Sequence, residues 1–375
     1  MKITSKYLLL LIIATSFAFY SCDSDDDSDS SGIPSDSEAA ANPVLTETNT
    51  VIPNAQFSAE GNSGVIGINF TGILHPETKE WLELYGTSLA NQNVWVEVDG
   101  TPKGILVYNN AANKQNQKPI YADLVFLVDN SGSMGQEADS VANGILKWAT
   151  NLSKKGLDIQ FGCVGYTSGI NGSLGLSGLS EINAYLNRKS RKGTNRTVGY
   201  SGADSLKLLT AAKGYQHGRD ECGSEALRFA DENFSFRSSA NRIYVNFTDE
   251  SNQPGGLEEW SVEYVADQNK WNTSQGTIHT VFSADTNFYK RPYYDERPWL
   301  MSDYTGGTKM FVPSTFANVT LDDLPVTGAM VNSYIIRFNN TSDLANGTHE
   351  VKITIQSSDK KVKAEKVFKN VKFGE

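Results

Sequence analysis

Cysteine is almost absent from this chain: three occur in 375 residues, Cys22, Cys163 and Cys222, and no two form a Cys-x-x-Cys pair. That argues against a structural zinc site, which needs clustered thiolates or imidazoles. Histidine is scarce too. His75, His217, His279 and His349 are scattered, and none sits in a His-Glu-x-x-His pair. There is no Gly-x-Ser-x-Gly elbow and no phosphate-cradling Gly-x-x-x-x-Gly-Lys-Ser/Thr loop, so the common hydrolase and nucleotide-binding signatures are missing. Positive charge is in deficit: the formal net charge is −10, and it becomes −12 once the first 22 residues, with Lys2, Lys6 and no acid, are set aside. A nucleic-acid partner requires a clustered basic surface to displace counterions, and no zinc-finger, KH or RRM pattern supplies one. The longest apolar run, Leu8 to Phe19, is too short to span a bilayer comfortably.

That run has an address to state. Lys2 and Lys6, the apolar stretch, then Tyr20, Ser21 and Cys22 follow the three-part layout of a secretory signal peptide. A small residue before cysteine resembles a bacterial lipoprotein signal, which implies lipidation of Cys22 and a membrane anchor there, although Phe19 and Tyr20 depart from the commoner residues. Asp23, Asp25, Asp26, Asp27 and Asp29 follow among serines, and residues 23–44 are expected to form an acidic, disordered tether. The plain reading is a solvated spacer. An acidic run behind the lipid cysteine also resembles the surface-export signal of some Gram-negative lipoproteins, which implies display on the outer membrane.

The segment richest in chemistry is Tyr121-Ala-Asp-Leu-Val-Phe-Leu-Val-Asp129-Asn-Ser131-Gly-Ser133. A nearly unbroken apolar run suits a strand covered on both faces in a parallel sheet. From Gln136 to Lys155 the apolar residues Ala138, Val141, Ala142, Ile145, Leu146, Ala149 and Leu152 recur at helical spacing, and Lys154, Lys155 and Gly156 end the pattern. The Asp-x-Ser-x-Ser therefore falls in a strand-to-helix turn, where open α/β sheets bind ligands. The same residues would also suit a plain turn with a helix N-cap.

Asp129-x-Ser131-x-Ser133 after a hydrophobic strand resembles the metal-ion-dependent adhesion site of von Willebrand factor A domains and integrin inserted domains. The resemblance implies a doubly wound, mostly parallel α/β sheet and a bound Mg2+, or Mn2+ or Ca2+, able to accept a carboxylate from a partner. Oxygen donors of this kind suit a hard cation that keeps several waters. Asn241 to Thr248, followed by Asp249, resembles the strand that brings the family's last acid to the metal, and Asp249 is assigned that role. Gly276 to Ser283 reads as a strand, and Thr305-Gly306-Gly307 before a further short strand also resembles the family. Leu157 to Tyr166 supplies another strand, and Leu257 to Trp271 reads as a helix. The resemblance spans 119–315. It departs in one place: the usual threonine before the helix containing Leu227 is missing, and Asp220 or Glu221 stands nearest. Either acid could hold the metal, or both could simply prepare a helix N-terminus. In this fold Cys163 and Cys222 could approach, leaving open a disulfide or two buried thiols.

Between these elements, residues 168 to 219 are longer than a plain connection needs and carry Arg188, Lys189, Arg191, Lys192 and Arg196. This basic island could steer an acidic ligand or merely decorate the surface. The flanks, 45–118 and 316–375, read as all-β, with a hairpin of Val94–Val98 and Ile105–Tyr108 and no helix of convincing length. Each is short for a sandwich of its own, so the two are expected to pair into one β-sandwich around the inserted A-type domain, as in integrin β chains. The function expected from all this is non-enzymatic: a metal-dependent adhesion protein, lipid-anchored to a bacterial outer membrane, that binds a protein or matrix ligand through an acidic group. A structural or assembly subunit of a surface organelle is the alternative, and a hydrolase using Ser133 a weaker third.

Overall fold

The computed structural model describes residues 32–373 except 61–63, 87–90, 110–120, 136, 155–156, 188–201, 239, 272–275, 289, 317–318, 342–343 and 345. Cys22, the aspartates from Asp23 to Asp29, and the basic island of Arg188, Lys189, Arg191, Lys192 and Arg196 lie outside the described residues.

Five strands come first: β1 (Ala55–Ala59), β2 (Val65–Phe70), β3 (Val94–Val98), β4 (Thr101–Pro102) and β5 (Leu106–Asn109). Strands and helices then alternate through β6 (Tyr121–Asp129), α1 (Ala138–Ser153), β7 (Asp158–Tyr166), β8 (Ile170–Ser177) and α2 (Leu179–Leu186). The alternation continues with β9 (Gly202–Ala203), α3 (Leu206–Ala211), α4 (Gly223–Asn233), β10 (Asn241–Thr248) and β11 (Thr277–Phe282). After α5 (Leu300–Thr305), β12 (Lys309–Phe311) and α6 (Pro325–Val331), the chain ends in β13 (Tyr334–Asn339), β14 (His349–Gln356) and β15 (Lys363–Val371).

The fold is mixed α/β. Its central sheet has seven strands in the order β12-β11-β10-β6-β7-β8-β9, parallel throughout except where β8 runs against β7. β6 lies in the middle, and from Ala122 to Asp129 it is buried at every residue, as its unbroken apolar run requires. Alternate side chains serve opposite faces: Leu124, Phe126 and Val128 join α1 and α2 in one core, while Val125 and Leu127 join α4 in another. On α1 the buried stripe is Val141, Ala142, Ile145, Trp148, Ala149 and Leu152, with Trp148 5.9 Å from the Phe126 ring. Each such large side chain, removed from water, contributes about 1.5–3 kcal/mol.

The two ends of the chain share two antiparallel four-stranded sheets, β1-β2-β13-β5 and β15-β14-β3-β4. β13 lies between β2 and β5, and β14 pairs with β3, so neither flank completes a sheet without the other. Phe57, Ile68, Val96, Ile336, Ile353 and Phe368 from both sheets form one core, the interior of a sandwich. Backbone and side-chain bonds tie it to the α/β part: Asn54 N donates to Thr305 O (2.9 Å), Asn54 Nδ2 to Gly276 O (2.8 Å) and Arg242 N to Gln56 Oε1 (3.1 Å).

Three local expectations are corrected, and the alternative left open for the two cysteines is decided. Asp99 and Gly100 form a two-residue turn with both φ values positive (50° and 78°), the strand after it is only Thr101–Pro102, and Leu106–Asn109 crosses to the other sheet to pair with β13. Leu257 to Trp271 is not a helix but two 3-10 turns, Glu258–Trp260 and Val262–Ala266. Ser261 breaks it because the buried Glu296 carboxylate takes both the Ser261 hydroxyl (2.6 Å) and Val262 N–H (2.9 Å). The segment after 315 contains a helix, α6, and Phe316, Leu321, Leu324, Val326 and Met330 belong to the α1 core rather than to the sandwich. Cys163 and Cys222 are not bridged. Cys163 faces the α1 side of β7, while Cys222 opens α4 on the opposite face, so the sheet stands between the thiols.

Thr305-Gly306-Gly307 has a structural reason of its own. Gly306 is left-handed (φ 75°) and ends α5, and a Cβ on Gly307 would lie 1.7 Å from Ile278 O. Gly307→Ala is therefore expected to destabilise the protein by at least about 2 kcal/mol, whereas Gly214→Ala, which meets nothing within 4 Å, should stay within about 0.5 kcal/mol. Urea denaturation of the two variants measures the difference.

Candidate metal centre

Parallel pairing places the ends of β6, β7 and β10 on one edge of the sheet. Asp129, the last residue of β6, is the cross-strand neighbour of Tyr166 at the end of β7, and Asn130 N donates to Tyr166 O (2.7 Å). The chain then turns sharply. Ser131 N donates to Asp129 Oδ1 (2.9 Å), which folds the hydroxyl-bearing residues back over the carboxylate. Ser131 Oγ and Ser133 Oγ lie 2.8 Å apart, and Ser133 Oγ donates to Asp249 Oδ1 (3.0 Å). Asp249 follows directly on β10. The four residues Asp129, Ser131, Ser133 and Asp249 are thus brought together from two segments 116 positions apart in sequence.

The second oxygen of Asp129 is held as well: Thr248 Oγ1 donates to Oδ2 (2.8 Å) and in turn accepts from Glu250 N (3.1 Å). Neither Thr248 nor Glu250 was singled out by motif, although both adjoin Asp249. Their role depends on the register that aligns the end of β10 with the end of β6.

Of the two acids before α4, Asp220 is exposed and Glu221 is buried. Glu221 is fixed through its backbone, its carbonyl accepting from Gln253 N (2.8 Å) just beyond Asp249, while Cys222 N donates to Thr167 O (3.2 Å) beyond β7. The loop therefore closes a third side of the site. Among the described residues, however, no three Asp, Glu, His or Cys side chains converge as a ligand set. The oxygens that do meet are two carboxylates and two hydroxyls.

Electrostatically the site is one-sided. Burial pushes the Asp129 carboxyl up to about 8, against the hydrogen bonds from Ser131 and Thr248, and the charge of Glu221 adds to the rise. Burial likewise raises Glu221 to about 7, with the charges of Asp220 and Glu250 contributing. Asp249 is raised by burial, Glu250 by burial and then by Asp249 and Asp220, and Glu137 by burial and then by Asp249. Among the described residues none of these acids is ion-paired to Lys, Arg or His; Arg219, close by in sequence, turns to Gln253 and Asp295 instead. Buried carboxylates without a counter-charge fit a hard cation, and the donor set of carboxylate and hydroxyl oxygens is one that Mg2+ or Ca2+ accepts.

The histidines lie elsewhere. His279 is buried with Nδ1 2.8 Å from Thr308 Oγ1, and burial lowers it to about 3. His217 stacks on Trp260 and bonds Glu225 (2.9 Å), His349 bonds Asp99 (2.7 Å), and His75 Nδ1 accepts from Glu77 N and Thr78 N. Ser133 meets Ser131 and Asp249, with no imidazole among its hydrogen-bond partners.

The chain matches no protein-family profile and no curated protein. Among solved structures it is similar to proximal thread matrix protein 1 from the mussel byssus, at 14% identity and a TM-score of 0.32 over 53% of this chain and 45% of that one. Human COPII-coat protein Sec24c aligns at 7% identity and 0.32, over 90% and 57% of the two chains. The pilus adhesin SpaC from Lactobacillus rhamnosus GG, in its open conformation, aligns at 12% and 0.30, over 88% and 55%. The chain spans about half the length of each.

A carboxyl whose folded pKa lies above its unfolded value keeps a proton on folding. Between about pH 4 and 8 the folded metal-free protein holds a proton on Asp129 that the unfolded chain has lost, so stability falls as pH rises through that window, by up to about 1.4 kcal/mol per pH unit per group. Urea midpoints in EDTA at pH 5, 6 and 7 are expected to decline, and to decline less steeply in Asp129→Asn. Equal slopes in the two proteins would show that Asp129 is not the group responsible.

Proposed function

We propose that this chain is a von Willebrand factor A-type binding protein whose adhesion site is formed by Asp129, Ser131, Ser133 and Asp249. In this reading the seven-stranded sheet is the doubly wound sheet of that family, and a divalent cation, Mg2+ or else Mn2+ or Ca2+, is held at its edge. A bacterial outer membrane carries the protein through a lipid on Cys22, and the ligand is a protein or matrix component that presents an acidic group.

One observation carries the proposal: Asp129, Ser131, Ser133 and Asp249 are linked in succession, Asp129 through Ser131 N and the rest oxygen to oxygen, at the C-terminal edge of a mostly parallel sheet, with no basic side chain paired to them among the described residues. A bound cation supplies positive charge that can take one more oxygen from outside the protein. The residues do the rest. Asp129 and Asp249 provide charge from the ends of two neighbouring strands, and the serine hydroxyls, 2.8 Å apart, are already turned toward one another. The turn from Asp129 to Ser133 is held by the bond from Ser131 N to the Asp129 carboxylate, so little order is lost when an ion enters. In this reading Ser133, bonded to a carboxylate and a hydroxyl with no imidazole among its partners, serves as an oxygen donor to the ion. The reading is non-enzymatic.

Titration calorimetry of the protein with MgCl2 and MnCl2 tests it. Binding near one ion per chain is expected, weakened by about tenfold or more in both Asp129→Ala and Asp249→Ala. Wild-type affinity in Asp129→Ala would sink the proposal. Incorporation into a surface fibre indifferent to EDTA would instead place the chain among structural subunits.

A further inference from the structure

Thr248 is buried, 2% exposed, at the end of β10. Its hydroxyl carries a single proton and has two acceptors in reach, Asp129 Oδ2 at 2.8 Å and Glu250 O at 3.4 Å, of which the Asp129 contact is much the shorter. It accepts from Glu250 N (3.1 Å). Asp129 Oδ1 is taken by Ser131 N (2.9 Å).

The χ2 torsion of an aspartate is broad, since it joins an sp3 to an sp2 carbon, and no rotamer well fixes the plane of the carboxylate. Two bonds, one to each oxygen, do fix it. The bond to Oδ1 comes from within the Asp129–Ser133 turn itself and would follow that turn wherever it moved. The bond to Oδ2 comes from a neighbouring strand, which β10 holds in register with both β6 and β11. Among the described residues Thr248 is thus the hydrogen-bond partner that refers the carboxylate to the sheet, and the next residue, Asp249, is the second acid of the site.

We infer that Thr248 is a positioning residue of the metal site, setting the plane of the Asp129 carboxylate so that its remaining lone pairs face the ion. The inference rests on the metal-binding reading above. Partners of this kind, one step removed from an ion, typically change affinity by about 10- to 100-fold when lost. Valine has the shape of threonine and lacks the hydroxyl, whereas serine retains the hydroxyl and lacks the methyl group.

Calorimetric titration with MgCl2 and MnCl2 is therefore expected to show Thr248→Val weakened by about 10- to 100-fold and Thr248→Ser within about threefold of wild type. Urea denaturation in EDTA separates this from a loss of folding, and Thr248→Ala replaces the valine variant if the latter does not fold. If wild type binds the ions and Asp129→Ala does not, yet the valine and alanine variants bind like wild type, the role given to Thr248 is wrong and the metal site stands. A serine variant as weak as valine would also overturn it, by showing that packing of the methyl group is what matters. If wild type binds neither ion, both readings fall together.

Discussion

Everything at the candidate site follows from one constraint: a carboxylate, Asp129, ends a strand that is buried at every residue from Ala122 onward. A charge in that position has lost its water and, among the described residues, has gained no basic partner. Its hydrogen bonds from Ser131 and Thr248 offset part of the cost of burial but leave the carboxyl raised to about 8. A second carboxylate on the same strand is held differently. Asp123, at the start of the same strand and equally buried, is clasped by Arg237 at 2.8 Å. β6 therefore carries the same residue type in two circumstances, one ion-paired to Arg237 and one, among the described residues, without a basic partner.

The architecture leaves that edge to the loops. The central sheet is sealed on its two faces by α1 with α2 and by α4, so its C-terminal edge is where loops can gather without disturbing a core. Strands from both ends of the chain complete the sandwich and anchor it beside β10, β11 and α5 through Asn54 and Gln56. This closes the long excursion from β5 to β13: its entry and exit strands are hydrogen-bonded neighbours, Tyr334 opposite Asn109. The α/β segment is in this way joined at both ends to one sheet.

Several acids crowd the rim without being equivalent. Asp249 and Ser133 bond directly, whereas Glu221 enters through backbone bonds to Gln253 and presses on Asp129 by charge. Asp220, its neighbour in sequence, is exposed. A hairpin of polar contacts thus ranks residues that composition alone would treat alike.

The amino-acid sequence by itself determined the local pieces: the buried strand β6, the Asp129-to-Ser133 turn, helix α1, the strands at 158–166, 241–248 and 277–282, and with them the mixed α/β character. Each is written in a short-range pattern, either an unbroken apolar run or a stripe at 3.6-residue spacing. What only the tertiary structure decided are the relations between distant residues. Burial of Glu221, the grip of Thr248 on Asp129, the separation of Cys163 from Cys222 across the sheet, the crossing of β5 to a second sheet, and the breaking of 257–271 by Glu296 all depend on register and on which face a side chain meets. A pattern of period two or 3.6 says that a side chain is buried, but not which partner buries it, and a carboxylate's charge state depends on the partner.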